Sequence, residues 1–181
     1  PDNARVILVV GRLDEQKRPE LALEACERIF GEFPGLHLVF AGVGPHKESV
    51  AKLAAEREVA DRVHLLGRRD DVPALMKGSE LLLHVSAWEG APNVILESVA
   101  SGLPVICCDN PGNVDALRGG KWGTIIDSTQ PSDFTVAIRS HLQSPQTLNE
   151  LACAAQQQIS RELTWEKMIA AYAELYRYHL S

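Results

Sequence analysis

The sequence predicts an α/β fold, a doubly wound and mostly parallel sheet of about six strands with extra helices at its carboxy-terminal end. Three observations lead there. Short β-branched or leucine-rich runs alternate with longer helical patterns along most of the chain. The first run, ARVILVV at Ala4–Val10, is apolar almost throughout, as in a strand covered on both faces. Beyond Ile126 the periodicity becomes helical only.

After that first strand, Pro19 is suited to open a helix. Leu21, Ala25, Cys26 and Ile29 form its apolar stripe, with Glu20, Glu24, Glu27 and Arg28 opposite, and it is expected to end between Gly31 and Gly35. LHLVFAG at Leu36–Gly42 reads as the second strand, His46–Glu58 as a helix, and RVHLLG at Arg62–Gly67 as the third strand. A short helix near Asp71–Lys77 precedes LLLHVS at Leu81–Ser86, and a helix near Asn93–Ser101 precedes PVICC at Pro104–Cys108. A last short strand falls at Trp122–Ile126, followed by helices near Pro131–Leu142, Pro145–Ile159 and Trp165–Tyr178. In the last of these, Met168, Ala171, Tyr172, Leu175 and Tyr176 recur at helical spacing. Right-handed crossovers place helices on both faces of such a sheet, and ligands bind beyond the carboxyl ends of its strands.

Composition narrows the function classes. At 181 residues the chain is long enough for one self-standing core, and 45% hydrophobic with 23% charged residues excludes disordered and collagen-like readings. No apolar stretch approaches the roughly 20 residues of a bilayer-spanning helix. A net charge of −6 argues against a nucleic-acid partner, since such domains carry a basic face. Arg12, Lys17 and Arg18 nonetheless lie close together, as do Arg68 and Arg69, which leaves room for a small anion such as a phosphate. The four cysteines, Cys26, Cys107, Cys108 and Cys153, form no Cys-x-x-Cys pair; they read as reduced, mostly buried apolar residues of a cytoplasmic protein, and no metal site is expected. The start PDNAR lacks both a signal-peptide pattern and an initiator Met, so the chain is expected to be cut from something longer.

Four segments just after strands stand out: GRLDEQK at Gly11–Lys17, GVGP at Gly42–Pro45, GRRDD at Gly67–Asp71 and AWEGAPN at Ala87–Asn93. All four are expected on one rim. GVGP resembles a dinucleotide loop, but Lys47 stands where the third glycine of Gly-x-Gly-x-x-Gly belongs, and the loop follows the second strand rather than the first. Gly42 and Gly44 therefore serve either a tight turn or close approach to a ligand. In WEGAPNVILE, Glu89 is read as ending a strand, Gly90 and Ala91 as a turn, and Pro92 as part of the next helix's first turn. Free N–H groups and the positive end of the helix dipole would face the rim there, an arrangement suited to phosphate, with Asn93 capping or donating. Glu97 lies four residues after Asn93 on the same helix face, about 6 Å deeper, where its carboxylate either accepts from a vicinal diol or is simply solvated. Glu89 is likewise either a ligand residue or an acid near a helix start.

In order along the chain, GRLDEQKRPELALEA, FAGVGP, VHLLGRRDDV, SAWEGAPNVILESVASGLPVICCD and GGKWGTIID resemble the retaining glycosyltransferases of family four, the group 1 enzymes of GT-B fold. The most specific feature is Glu89, seven intervening residues, then Glu97, in an EG-x-P-N and A-x-GLPV context. The resemblance runs from about Ala4 to Asp127, with a looser match over Thr164–Tyr178. It implies a single Rossmann-like, donor-binding domain over residues 1–181, the carboxy-terminal half of a two-lobed enzyme whose amino-terminal acceptor domain is not included. The implied reaction moves a sugar, with retention, from a nucleotide-diphosphate sugar to an acceptor hydroxyl, in glycan or polysaccharide biosynthesis, with no cofactor. The fragment is expected to be inactive alone and cytoplasmic, with membrane contact only through the other half, peripheral at the inner face.

By the same resemblance, Arg12 and Lys17 hold the donor diphosphate, Glu97 the ribose hydroxyls, and Glu89 hydroxyls of the transferred sugar. Backbone N–H groups of Gly90, Ala91 and Asn93 reach sugar and phosphate, Gly42 and Gly44 border the nucleotide, and the main chain from Arg68 to Val72 holds the base. Many relatives have glycine after the motif lysine, so Arg18 leaves open which of Lys17 and Arg18 meets the phosphate. Without that role, Arg12 is expected to pair with Asp14 or Glu15. The chain has no Asp-x-Asp, and two cations with a helix amino terminus can stand in for a metal on the departing diphosphate. His64 and His84 read as core or rim residues, and Trp88 as shaping the donor site or packing. The other readings of the same residues are a non-catalytic sugar-nucleotide-binding module and a GT-B nucleotide-sugar epimerase.

Overall fold

The computed structural model describes residues 4–180. Its first half runs β1 (Arg5–Val10), α1 (Pro19–Glu27), β2 (Leu36–Ala41), α2 (Lys47–Glu56), β3 (Val63–Leu65), α3 (Val72–Lys77) and β4 (Leu81–His84). It continues with α4 (Asn93–Ser101), β5 (Val105–Cys108), α5 (Pro111–Ala116), β6 (Thr124–Ile126), α6 (Pro131–Gln143), α7 (Gln146–Glu162) and α8 (Trp165–Leu180). The strands form one sheet in the order β3-β2-β1-β4-β5-β6, and every neighbouring pair is parallel. Pro1, on which the expectation of a longer protein rests, lies outside the described residues.

The apolar strand runs are explained by burial on both faces. Ile7 and Val9 point with Leu38, Phe40, Leu81 and Leu83 into one core, closed by Leu21, Cys26, Phe134 and Ile138 from α1 and α6. Leu8 points with Val39, Leu82, Val105 and Cys107 into the other, closed by Met76, Ile95, Val99 and Ala155 from α3, α4 and α7. Each fully buried Ile, Leu or Phe contributes about 1.5–3 kcal/mol over the exposed state. Cys26, Cys107 and Cys108 belong to these cores, and burial pushes the Cys26 and Cys107 thiols up; Cys153, on α7, is exposed.

The expected elements differ from the observed ones in a few places. The first helix ends at Glu27 rather than near Gly31, because the chain tightens there into bonds such as Ile29 N–H to the Cys26 carbonyl and Phe30 N–H to that of Glu27. Pro92 is the residue before α4 and not part of its first turn. Glu89 does not end a strand, since β4 stops at His84 and Glu89 stands in the loop beyond. The sequence reading has no counterpart to α5, whose first turn is capped by the Asn110 side chain accepting from Asn113 N–H at 3.0 Å.

The α8 stripe of Met168, Tyr172, Leu175 and Tyr176 lies exposed rather than buried, with Trp165 and Ile169 beside it. Among the described residues, no helix is long and apolar enough to cross a membrane.

Candidate functional site

The site follows from strand order. β1 and β4 are neighbours, but α1 packs on one face of the sheet and α4 on the other. Their loops, residues 11–18 and 85–92, therefore diverge at the carboxyl ends of the strands and leave a crevice, the switch point of a doubly wound sheet. Hydrogen bonds cross its floor. Ala87 N–H donates to the Gln16 carbonyl at 2.8 Å, Gln16 Nε2 to the Trp88 carbonyl at 2.8 Å, and Arg18 Nε to the Val85 carbonyl at 2.7 Å.

Lys17 and Glu89 meet in this crevice. The Lys17 backbone N–H donates to the Asp14 side chain at 3.1 Å, and the Lys17 ammonium pairs with Glu89 Oε1. His84, at the end of β4 and only 3% exposed, lies with Nε2 at 3.1 Å from the same Oε1 and 3.0 Å from Ser86 Oγ. Burial pushes the Glu89 carboxyl up, but hydrogen bonds from His84, Lys17 and Ser86 outweigh it and bring it down to about 2. Glu89 is thus ionised at neutral pH. His84 is shifted the other way: burial lowers it, the charge of Lys17 adds to that, and the Glu89 hydrogen bond only partly opposes them. Its ring is neutral, and a carboxylate can only accept, so Nε2 carries the proton and donates to Glu89.

Arg12 occupies the outer part of the same loop. Its side chain is 77% exposed and pairs with Asp14 Oδ2 at 2.6 Å, the partner expected for it in the absence of a ligand. The guanidinium itself lies largely in solvent, from which it can turn toward an anion, while Asp14 is only 13% exposed. Arg18 takes a different course. Its backbone is left-handed, φ 47° and ψ 55°, which explains why glycine suits this position, and its Nε is committed to the Val85 carbonyl.

Gly42 and Gly44 have a structural reason that neither sequence reading contained. A Cβ on Gly42 would sit 1.7 Å from the Gly11 carbonyl oxygen, and one on Gly44 2.2 Å from that of Leu13. The bonds from Gly11 N–H to Ala41, Leu13 N–H to Val43 and His46 N–H to Leu13 hold the two loops together, so GVGP braces the Lys17 loop from behind. An isolated antiparallel bridge between Gly42 and Gly67 ties in the next loop, where Arg68 is exposed near Asp70 and Val72 begins α3.

On the other side, the backbone N–H groups of Gly90, Ala91 and Asn93 donate to no protein atom among the described residues, and they open onto the first turn of α4. The Asn93 side chain does not cap that helix. The Glu97 side chain, one turn further, makes no hydrogen bond or ion pair among the described residues; it lines a groove with Ala100, Ile159, Ser160 and Leu163. The structure thus joins Lys17 and Glu89 directly, places Arg12, Gly90 and Ala91 on the same two loops with Asn93 at the start of α4, and leaves Glu97 on a helix flank with no hydrogen bond or ion pair to Lys17 or Glu89.

Several residues around the site were not singled out from sequence. Ser86, Asn110 and Asn113 form a buried polar cluster, with Asn110 Nδ2 donating to the Ser86 carbonyl at 3.1 Å and Asn113 Nδ2 to that of Cys108 at 2.9 Å. It pins the β4 and β5 loops together. Gly112, in α5, abuts Glu89 so closely that a Cβ there would lie 2.5 Å from the Glu89 carbonyl oxygen. The signals available were the pairing of His84 with Ser86 on one strand face and the Asn-Pro start of α5.

A family model described as glycosyl transferases group 1 matches residues 1–158. The chain is 29% identical over 175 residues to the lipopolysaccharide core biosynthesis glycosyltransferase LpsE of Rhizobium meliloti, covering 97% of this chain and 50% of that protein. It is 31% identical over 187 residues to the D-inositol 3-phosphate glycosyltransferase of Thermobispora bispora, covering 97% of this chain and 44% of that one. Among solved structures, Anabaena Alr3699/HepE in complex with UDP and glucose superposes with a TM-score of 0.89 at 22% identity, over 97% of this chain and 48% of that chain. The chain therefore spans about half the length of the relatives it matches.

Proposed function

Because the chain belongs to the glycosyl transferases group 1 family, we propose that it is the donor-binding half of a retaining, metal-independent glycosyltransferase that moves a sugar from a nucleotide-diphosphate sugar to an acceptor hydroxyl. The observation that carries this reading is the Lys17–Glu89 pair at the β1/β4 crevice, beside unpaired N–H groups at the start of α4. Lys17, Arg12 and those N–H groups supply positive charge where a departing diphosphate gains negative charge. Glu89 is ionised, and the bonds from Lys17 and His84 converge on Oε1, so its Oε2 is available to a sugar hydroxyl. Two cations and a helix terminus can stand in for a divalent ion in leaving-group stabilisation, which is the basis for proposing metal independence.

Glu97 is assigned to the ribose hydroxyls, Gly42, Gly44 and the chain from Arg68 to Val72 to the nucleoside. The complex of Alr3699/HepE with UDP and glucose supports a nucleotide-sugar donor of this kind. An acceptor-binding lobe outside this chain completes the enzyme, and the exposed apolar face of α8 together with the half-length match supports that division. Cytoplasmic placement, with membrane contact confined to the other lobe, belongs to the same reading.

Calorimetric titration of the 181-residue chain with UDP, GDP and ADP, and with their sugar conjugates, tests the proposal. Binding of at least one nucleotide and its sugar conjugate, unchanged by EDTA, is expected. Binding to none, or binding abolished by EDTA, refutes the donor role or its metal independence respectively.

A further inference from the structure

Among the described residues, His84 is the imidazole that reaches Glu89 at the crevice. It ends β4, a strand in the middle of the sheet, and its ring is buried between that strand and the Glu89 loop. Its Nε2–H reaches Glu89 Oε1 at 3.1 Å, the same oxygen that the Lys17 ammonium holds. These two donors differ in what else they can do. Lys17 is a flexible side chain on an open loop, 20% exposed, and a diphosphate is a more highly charged partner than a single carboxylate. His84 has neither freedom nor solvent.

We infer that His84 is a positioning residue, which keeps the Glu89 carboxylate aimed at a donor-sugar hydroxyl when Lys17 turns to the diphosphate. The inference rests on the donor-binding reading above. Without His84, the diphosphate would draw away the charged partner of Glu89 at the moment the carboxylate is needed, and the Ser86 hydroxyl alone would hold it. With it, Oε1 stays occupied and Oε2 stays presented. His84 itself touches no substrate. Its burial, which favours the neutral ring, suits a hydrogen-bond donor that holds a carboxylate without competing for the phosphate charge.

The test is calorimetry on wild type, His84→Phe and His84→Gln with UDP and UDP-glucose, GDP and GDP-mannose, and ADP and ADP-glucose. In the pair that wild type binds, His84→Phe should weaken the sugar conjugate about tenfold and leave the nucleoside diphosphate within about twofold. His84→Gln, which retains a donor, should restore most of the loss. Equal weakening of both ligands by His84→Phe, or no change in either, overturns the inference while leaving donor binding intact. A wild-type chain that binds none of the six overturns both. Imidazole ¹⁵N shifts of wild type give a second check that needs no folded variant: the Nε2–H tautomer is expected, and an Nδ1–H tautomer contradicts the inferred hydrogen bond.

Discussion

Replacing Glu89 by Gln removes one charge from the crevice and leaves its shape almost unchanged. The side chain is 8% exposed, and glutamine occupies nearly the same volume against Gly112, so no cavity term enters. The electrostatic cost follows from the carboxyl's displacement from 4.5 to about 2. At about 1.4 kcal/mol per tenfold change, that corresponds to roughly 3 kcal/mol of folding stability. The folded carboxyl is depressed, so this stability is fully present above the unfolded value near 4.5 and is lost as pH falls toward 2. Urea unfolding of wild type and Glu89→Gln at pH 7, 5, 4 and 3 should show the variant roughly 3 kcal/mol less stable at neutral pH. The gap should narrow steadily below pH 5. Glu20, whose carboxyl is also lowered, is present in both proteins and cancels. A gap independent of pH, or a variant as stable as wild type at pH 7, would refute the account of Glu89 as a buried, multiply donated carboxylate.

Lys17→Ala should weaken nucleoside diphosphate binding by about 1.5–3 kcal/mol while leaving the bare nucleoside nearly unaffected, and equal losses in calorimetry would contradict a phosphate contact. Glu97→Gln should lower affinity for ribonucleotides more than for their 2′-deoxy analogues; no difference between them counts against ribose recognition. Gly44→Ala should destabilise the fold by about 1–3 kcal/mol, because its methyl meets the Leu13 carbonyl at 2.2 Å, and an unchanged melting temperature would disprove that close approach. At Arg18, whose backbone is left-handed, glycine should be more stable than alanine by roughly 1 kcal/mol, and denaturant titration showing the reverse order would sink that reasoning.

The sheet is legible in the sequence because central strands declare themselves. RVILVV, LHLVFA and LLLH lack the alternation of half-exposed strands, and only burial on both faces allows that. That the loops after the first and fourth strands share one rim follows from winding rules. What those loops hold apart or together is less visible. Gly42 and Gly44 read as a turn or a ligand loop, because the carbonyls that exclude a side chain there come from Gly11 and Leu13, about thirty residues away. His84 reads as a core or rim residue for the same reason, since its partner is fixed by the path of the Glu89 loop and not by spacing. The six-residue α5 is too short to leave a periodic stripe, and its Pro-Gly start imitates a turn. The exposed stripe of α8 has the pattern of a buried helix face, and periodicity alone does not identify what lies opposite.

The contact between Gly112 and Glu89 means that the reach of the carboxylate is set from outside the crevice. A larger residue at 112 would push the β4 loop bodily, backbone first, and carry the acid with it. Under the donor role proposed for Glu89, preference among sugars of different size would then drift by substitution in a neighbouring helix, with every side chain of the crevice left as it was.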